Sequence, residues 1–218
     1  MVSLLGFDGE ASGAADNCIS KILNLYKKST RTYIPVGGLS RSGKSTFISF
    51  LQYRLKEKLI SSISIPLDYW ILPVSQRQDS MTVKDRYQYE RISNDVSILI
   101  ESGVISLFPY QSLTRTISQH PIRISIKEAQ VVFFDGVIAL DHQYLSQISS
   151  MKIYIEVEEE IRKKRFVEFY KKKQISDEAI RLLYENRIQD EADLVIASGK
   201  KADFIINLSP GKNQKILV

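Results

Sequence analysis

The sequence is short of the residues that build disulfide-stapled, membrane-spanning or zinc-bound proteins. Its 218 residues include a single cysteine, Cys18, so no internal disulfide can form. That suits a reducing compartment, with the thiol packing on a helix as a small apolar group. No stretch approaches the roughly 20 apolar residues that span a bilayer, so no membrane association is expected. Two histidines and one cysteine leave no cluster of zinc-site spacing. Ten glycines and six prolines are too few for collagen or for Pro/Gly-rich disorder. Residues 1–10 carry neither a basic segment nor a long apolar run, so the chain does not read as a secreted precursor, and the cytoplasm is the expected location.

The composition is 44% hydrophobic and 25% charged, enough for one domain that buries roughly 70% of its unfolded surface. Net charge is 30 − 25 = +5. Residues 162–173 alone hold seven basic residues against one acidic residue, so the rest of the chain sums to 23 − 24 = −1. A nucleic-acid binder spreads its basic residues over a face or groove. A concentrated cluster points to one anionic site or one solvated helix face, and no nucleic-acid partner is expected.

Five short apolar runs read as strands: Tyr33–Val36, Ile63–Leu67, Val131–Phe134, Ile153–Val157 and Phe204–Leu208. Helical periodicity marks Lys44–Leu59, Asn94–Glu101 and Asp177–Gln189, with a lead-in helix over Asn17–Lys28 capped by Asp16 or Asn17. The alternating isoleucines of Ile117–Lys127 suit an antiparallel ribbon. Strands alternating with helices imply an α/β fold with a mostly parallel sheet covered on both faces. No linker or repeat divides residues 1–218, which are expected to form one domain. The packing partner of the lead-in (residues 1–31) is open between a sheet edge and a neighbouring subunit.

The strongest signal is Gly38-Leu39-Ser40-Arg41-Ser42-Gly43-Lys44-Ser45-Thr46, which matches G-x-x-x-x-G-K-[ST] between a strand and a helix. Gly38 and Gly43 let the backbone curl so that N–H groups, including those of Ser40, Arg41, Ser42 and Thr46, point at phosphate oxygens. Lys44 brings a mobile cation to the β- and γ-phosphates. The Ser45 hydroxyl can ligate Mg²⁺, and the helix start adds its positive end. ATP with Mg²⁺ is the expected cofactor pair. Asp135, delivered by the apolar run Val131–Phe134, fits a carboxylate that holds the metal through water.

No N-K-x-D guanine motif, no L-S-G-G-Q signature and no acid directly after Asp135 appear, which disfavours GTPases, transport ATPases and motors. Transfer of the γ-phosphoryl group to a small-molecule acceptor remains, and it needs a base and charge-neutralising cations. Asp68 closes the second strand on the same sheet edge as Lys44 and is the candidate base. Arg162 and Arg165 lie one helical turn apart and suit a lid closing over the phosphates.

These pieces resemble the uridine kinase and phosphoribulokinase family of P-loop kinases over most of residues 32–208. The matching segments are the phosphate loop, Ile65–Trp70, Asp95–Gln111, Val131–Leu140, Glu160–Phe166 and Lys200–Asn207. The resemblance implies a P-loop three-layer sandwich with five parallel strands in the order 2-3-1-4-5 and a lid over about 160–176. It implies Asp68 as base, Asp135 near the metal, and Arg162 and Arg165 in the lid. Tyr69, Asp85, Tyr87, Asp95, Tyr110 and Arg115 fall where the family meets its acceptor, and Ala202-Asp203 would flank the adenine. Acceptor motifs depart from the family: Gln111 and Ser112 follow Pro109-Tyr110 where uridine kinases carry Asp before a His-x-Arg, and the second lid arginine maps to Phe169-Tyr170. A nucleoside acceptor is the expectation, with pantothenate, nicotinamide riboside or a sugar as alternatives. A nucleotide-binding regulator without transferase activity is the rival from another class. A homo-oligomer is compatible with all of these.

Overall fold

The computed structural model describes residues 9–27, 30–78, 80–210 and 215–216. Five strands form the parallel part of the central sheet: β1 (Thr32–Gly37), β2 (Ser62–Pro66), β7 (Val131–Asp135), β8 (Ile153–Glu156) and β9 (Phe204–Asn207). They lie in the order β2-β7-β1-β8-β9, which by sequence rank is 2-3-1-4-5, and β10 (Lys215–Ile216) adds an antiparallel sixth strand beside β9. The sheet as a whole therefore differs from expectation by one edge strand.

The central strand shows why these runs become strands. All five residues of β7 are buried. Val131 and Phe133 point into the core on one face, Val132 and Phe134 into the core on the other, as the two-residue period of a strand requires. Helix α2 (Lys44–Glu57) covers the first face with Phe47, Ile48, Leu51 and Leu55. The same face receives α1 (Gly9–Tyr26), through Ala15, Cys18, Ile19 and Ile22. The lead-in helix thus packs over a sheet face rather than an edge. It begins at Gly9, so Asp16 and Asn17 lie inside it and do not cap it. Cys18 is fully buried, and burial pushes its thiol up to about 12, so it stays protonated and inert.

On the other face lies α3 (Tyr89–Ser102), which starts five residues earlier than its periodicity suggests. Beyond it, β3 (Val104–Leu107) pairs antiparallel with β6 (Ile122–Ser125), and β4 (Tyr110–Gln111) with β5 (Thr116–Ile117), so the Ile117–Lys127 stretch contributes to two antiparallel ribbons where one was expected. Helix α5 (Glu159–Lys171) packs on α6 (Asp177–Gly199) through Phe166, Ile180 and Tyr184.

His142 follows Asp141 shortly after the Asp135 strand, where the sequence suggests an exposed loop, but the structure buries it. It is 2% exposed and caps α4 (Gln143–Ile148), with Nδ1 accepting from the Leu145 N–H and Nε2 3.1 Å from the Tyr89 carbonyl oxygen. Its ring stacks on Tyr89 at 4.8 Å. Burial holds its pKa below the ordinary 6.5. The unfolded chain then takes up a proton near pH 6.5 while the folded chain does not, so this stabilisation is present above pH 6.5 and is lost as pH falls through the depressed folded value. Thermal unfolding between pH 8 and 5 should show a decline beginning near pH 6.5. A His142→Asn variant, which keeps a cap but cannot titrate, should flatten it; an unchanged slope would remove His142 as the cause.

Candidate active site

The carboxyl ends of three adjacent strands set the geometry. Asp135, the last residue of β7, is in register with Val36 of β1 and Pro66 of β2. Two residues past Val36 the phosphate loop begins at Gly38, and two past Pro66 comes Asp68, in a 3-10 turn over Leu67–Trp70. Parallel pairing therefore brings the phosphate loop, Asp135 and the candidate base Asp68 to one sheet edge, where open α/β sheets bind ligands.

Gly38 has φ +141° and Gly43 φ +103°, and Gly43 opens α2. No side chain caps that helix and no acidic residue sits in its first turn. Its N–H groups and positive end are left for an anion. The Ser40 and Ser42 hydroxyls are buried without hydrogen-bond partners, as suits donors awaiting phosphate oxygens. Lys44 is 8% exposed, with Nζ donating to the carbonyls of Gly38 and Leu39 at 3.0 Å. Burial lowers its pKa, opposed by the nearby Asp135 carboxylate. Asp135 is pushed up, by burial first, with Lys44 pulling the other way. The Ser45 hydroxyl donates to Asp135 Oδ2 at 2.5 Å. Among the described residues no group of three or more His, Cys, Asp and Glu stands ready to hold a metal alone. The pair Ser45–Asp135 suits Mg²⁺, which keeps waters and takes its remaining ligands from phosphate.

Asp68 Oδ1 accepts from the Tyr87 hydroxyl at 2.9 Å. The tyrosine is 8% exposed, and its pKa is raised well above the ordinary value by burial and then by Asp68. A cleft of about 340 Å³ joins Lys44, Ser45 and Asp135 to Asp68 and Tyr87.

No family model matches the chain. A uridine kinase of Leuconostoc citreum (strain KM20) is 27% identical over 136 residues, 59% of this chain and 63% of that protein. The alignment thus spans less than two thirds of the relative. Among solved structures, a protein described as a candidate fructose transport system kinase from Silicibacter sp. TM1040 superposes with a TM-score of 0.68 at 16% identity, covering 86% of this chain and 94% of that one. A possible uridine kinase from Bacillus stearothermophilus gives 0.55 at 19%, covering 87% and 98%. A D-glycerate 3-kinase from Cryptococcus neoformans gives 0.60 at 13%, covering 89% and 95%. The chain shares the fold of these three kinases.

On that fold the remaining expected residues fall in two groups, and the structure adds a third. Arg162 and Arg165 reach the phosphate loop from α5 but do not line the cleft: Arg162 Nη1 donates to the Ser40 carbonyl at 3.3 Å and Arg165 Nη1 to that of Ser42 at 3.1 Å. Arg162 is 3% exposed and its fork is occupied by Glu159, at 2.6 and 2.7 Å. As placed, it braces the loop instead of offering a free charge to phosphate. Helix α5 and the residues after it pack beside the phosphate loop, with the Arg41 guanidinium 3.3 Å above the Phe169 ring and Lys173 Nζ donating to the Ser112 carbonyl at 3.0 Å.

A second group is drawn away from the cleft. Asp85 closes its own turn, accepting from the Thr82 N–H and hydroxyl at 3.0 and 2.7 Å. Tyr69 packs half-buried against the core, tilted on Trp70. Trp70 is fully buried, with Nε1 donating to Asp95 at 2.6 Å, so neither Trp70 nor Asp95 is available for an acceptor. Arg115 is exposed in the β4–β5 turn, with φ +62°. Ala202-Asp203 stands at the opposite sheet edge, where Asp203 accepts from the Lys152 N–H at 2.7 Å ahead of β8 and β9, so it flanks no adenine site.

The third group was not foreseen: Arg77, Arg86, Arg187 and Glu191 all line the cleft. Glu191, 3% exposed on α6, accepts the Ser40 N–H of the phosphate loop at 3.0 Å and pairs with Arg187 at 3.5 Å. The Arg187/Glu191 spacing of four on a helix was the one visible hint. Tyr110 does not line the cleft itself; its ring lies 5.1 Å from the guanidinium of Arg77, which does.

Proposed function

We propose that the chain is an ATP-dependent phosphotransferase that passes the γ-phosphoryl group to a hydroxyl of a small molecule. The observation that carries this is one cleft holding a phosphate loop, a Ser45–Asp135 pair and a separate carboxylate, Asp68, oriented by Tyr87. A nucleotide-binding regulator has no need of the last element. The names of the relatives above, kinases of a nucleoside, a sugar and a hydroxy acid, support the reaction class and differ on the acceptor. The uridine kinase relative favours the nucleoside expected from the sequence.

In this mechanism Mg²⁺ would be held by the Ser45 hydroxyl, with Asp135 behind it, and supplies charge neutralisation on the triphosphate. The chain's own groups do the rest. The open N-terminus of α2 and the buried Ser40 and Ser42 hydroxyls orient the phosphates. Lys44 exchanges its two carbonyl contacts for phosphate oxygens and follows charge as it moves to the leaving oxygen. Arg162 and Arg165 hold the loop carbonyls so that its N–H groups keep their aim, and α5 excludes water. The free Asp68 oxygen takes the acceptor hydroxyl proton as the new O–P bond forms.

The test is ADP release from Mg-ATP across nucleosides, pantothenate, sugars and hydroxy acids. Acceptor-stimulated release with the phosphorylated acceptor as product supports the reading. ATP binding with no stimulation by any acceptor would move the assignment to the regulator.

A further inference from the structure

Beside Asp68 and Tyr87 stand three guanidiniums that the phosphate loop does not require. Two are neutralised within the protein: Arg86 pairs with Asp190, and Arg187 with Glu191. Arg77 differs. Its Nε donates to the Leu72 carbonyl at 2.8 Å, and the Tyr110 ring lies 5.1 Å away. It forms no ion pair among the described residues, and its Nη2 is buried without a hydrogen-bond partner. A guanidinium fixed along one edge by a carbonyl and on one face by a ring has already lost most of its rotamer freedom. Left without an acceptor, it is a prepared anion site.

Its position ties it to the acceptor rather than to ATP. Ile71 bridges Tyr87 in antiparallel fashion, Leu72 N–H donates to the Arg86 carbonyl at 2.9 Å, and Tyr87 holds Asp68. Arg77 and the candidate base are therefore parts of one short, cross-braced loop. Like charge is also crowded there: Arg86 is lowered by burial and then by Arg187, with Arg77 adding to the effect. A neutral nucleoside would find little to hold it. Among the described residues that line the cleft, Tyr87 is the one aromatic, and its hydroxyl is spent on Asp68.

We propose that the phosphoryl acceptor carries its own anionic group, a carboxylate or a phosphate, and that Arg77 binds it beside Asp68. This rests on the phosphotransferase reading of the same cleft, narrows its acceptor class and departs from the nucleoside expectation.

The experiment compares compounds that differ by the anionic group alone. Binding of glycerate against glycerol, and of ribose 5-phosphate against ribose, is titrated into the full chain saturated with Mg-ADP, with uridine alongside. At least one acid should bind about tenfold or more tightly than its neutral partner, and added KCl should weaken the acid alone. The pair that responds identifies carboxylate or phosphate. Arg77→Gln should collapse the preference to within about threefold, while Arg77→Lys keeps part of it; Mg-ADP affinity and melting temperature report that each variant is folded. Should Arg77→Gln fail to fold, the lysine variant and the salt dependence carry the test. The proposal is overturned if neither acid outbinds its partner, if uridine binds more tightly than both acids, or if the preference survives in folded Arg77→Gln. ADP release with the same compounds separates the two readings. Acid binding without turnover sustains the Arg77 site and sinks the phosphotransferase, whereas turnover with neutral acceptors alone does the reverse.

Discussion

Asp68→Asn is expected to lower acceptor-dependent turnover by about a hundred- to ten-thousand-fold, the range for loss of a general base. Affinity for Mg-ATP should stay within about twofold, because Asp68 lies on the loop after β2 and not on the phosphate loop. The substitution is clean for a geometric reason. Asp68 Oδ1 accepts the Tyr87 hydroxyl at 2.9 Å, and an asparagine oxygen can accept the same bond. The side chain keeps its place and loses only the ability to take a proton. Tyr87 cannot substitute as base, since burial and the neighbouring carboxylate keep its phenol protonated far into the alkaline range. Tyr87→Phe should therefore cost less, about tenfold, by releasing the orientation of a carboxylate that is still present. Rapid-quench measurement of a single turnover separates the chemical step from product release. A full-rate Asp68→Asn would remove Asp68 from the chemistry.

What the sequence disclosed follows from how locally each signal is written. The phosphate loop is contiguous, so Gly38 to Thr46 could be read without knowing the fold. Strands such as Val131–Asp135 are buried on both faces and appear as unbroken apolar runs. The order of the strands is not a local property, and it came from family resemblance. Helix α6 was cut short at Gln189 because the apolar period fails there. The structure shows why: of its next residues, Asp190 pairs with Arg86 and the Val83 N–H, and Glu191 lines the cleft and accepts the Ser40 N–H, instead of entering the core. The acceptor side was illegible for the same reason. Arg77, Arg86 and Arg187 come from two irregular segments and a helix more than 100 residues later in the chain, and only tertiary packing makes them neighbours. The burial of His142 was not legible because a buried polar residue beside Asp141 carries no apolar signature; its partners, Tyr89 and Leu145 N–H, are fixed by the fold.

Gly38→Ala should abolish ATP binding and lower the melting temperature by about 4–12 °C, from roughly 2–3 kcal/mol at about 2–4 °C per kcal/mol for a chain of this size. At φ +141° the backbone occupies a region that an L side chain rarely adopts. A Cβ there would also fall inside contact distance of the Ile155 carbonyl oxygen, with the Ser42 hydroxyl 3.0 Å away. The backbone neighbour does not yield readily. Ile155 lies within β8, which is paired with β1 on one side and β9 on the other, so its carbonyl cannot retreat without disturbing two ladders. The relief must come from the loop, and the loop is the phosphate cradle. Displacing Gly38 also moves the carbonyl that receives Lys44 Nζ, so the cation and the N–H groups lose their common aim. Gly37→Ala, one residue earlier, is the control. Its Cβ would meet Leu140 Cγ at 2.7 Å, a side-chain atom and not a strand carbonyl, and Gly37 does not have positive φ. That variant should lose less stability and still bind ATP. Calorimetric unfolding and a nucleotide titration on both variants decide the matter. Equal losses would mean that crowding at the carboxyl end of β1 governs the site, whereas loss of binding in Gly38→Ala alone assigns nucleotide recognition to the curl of the loop itself.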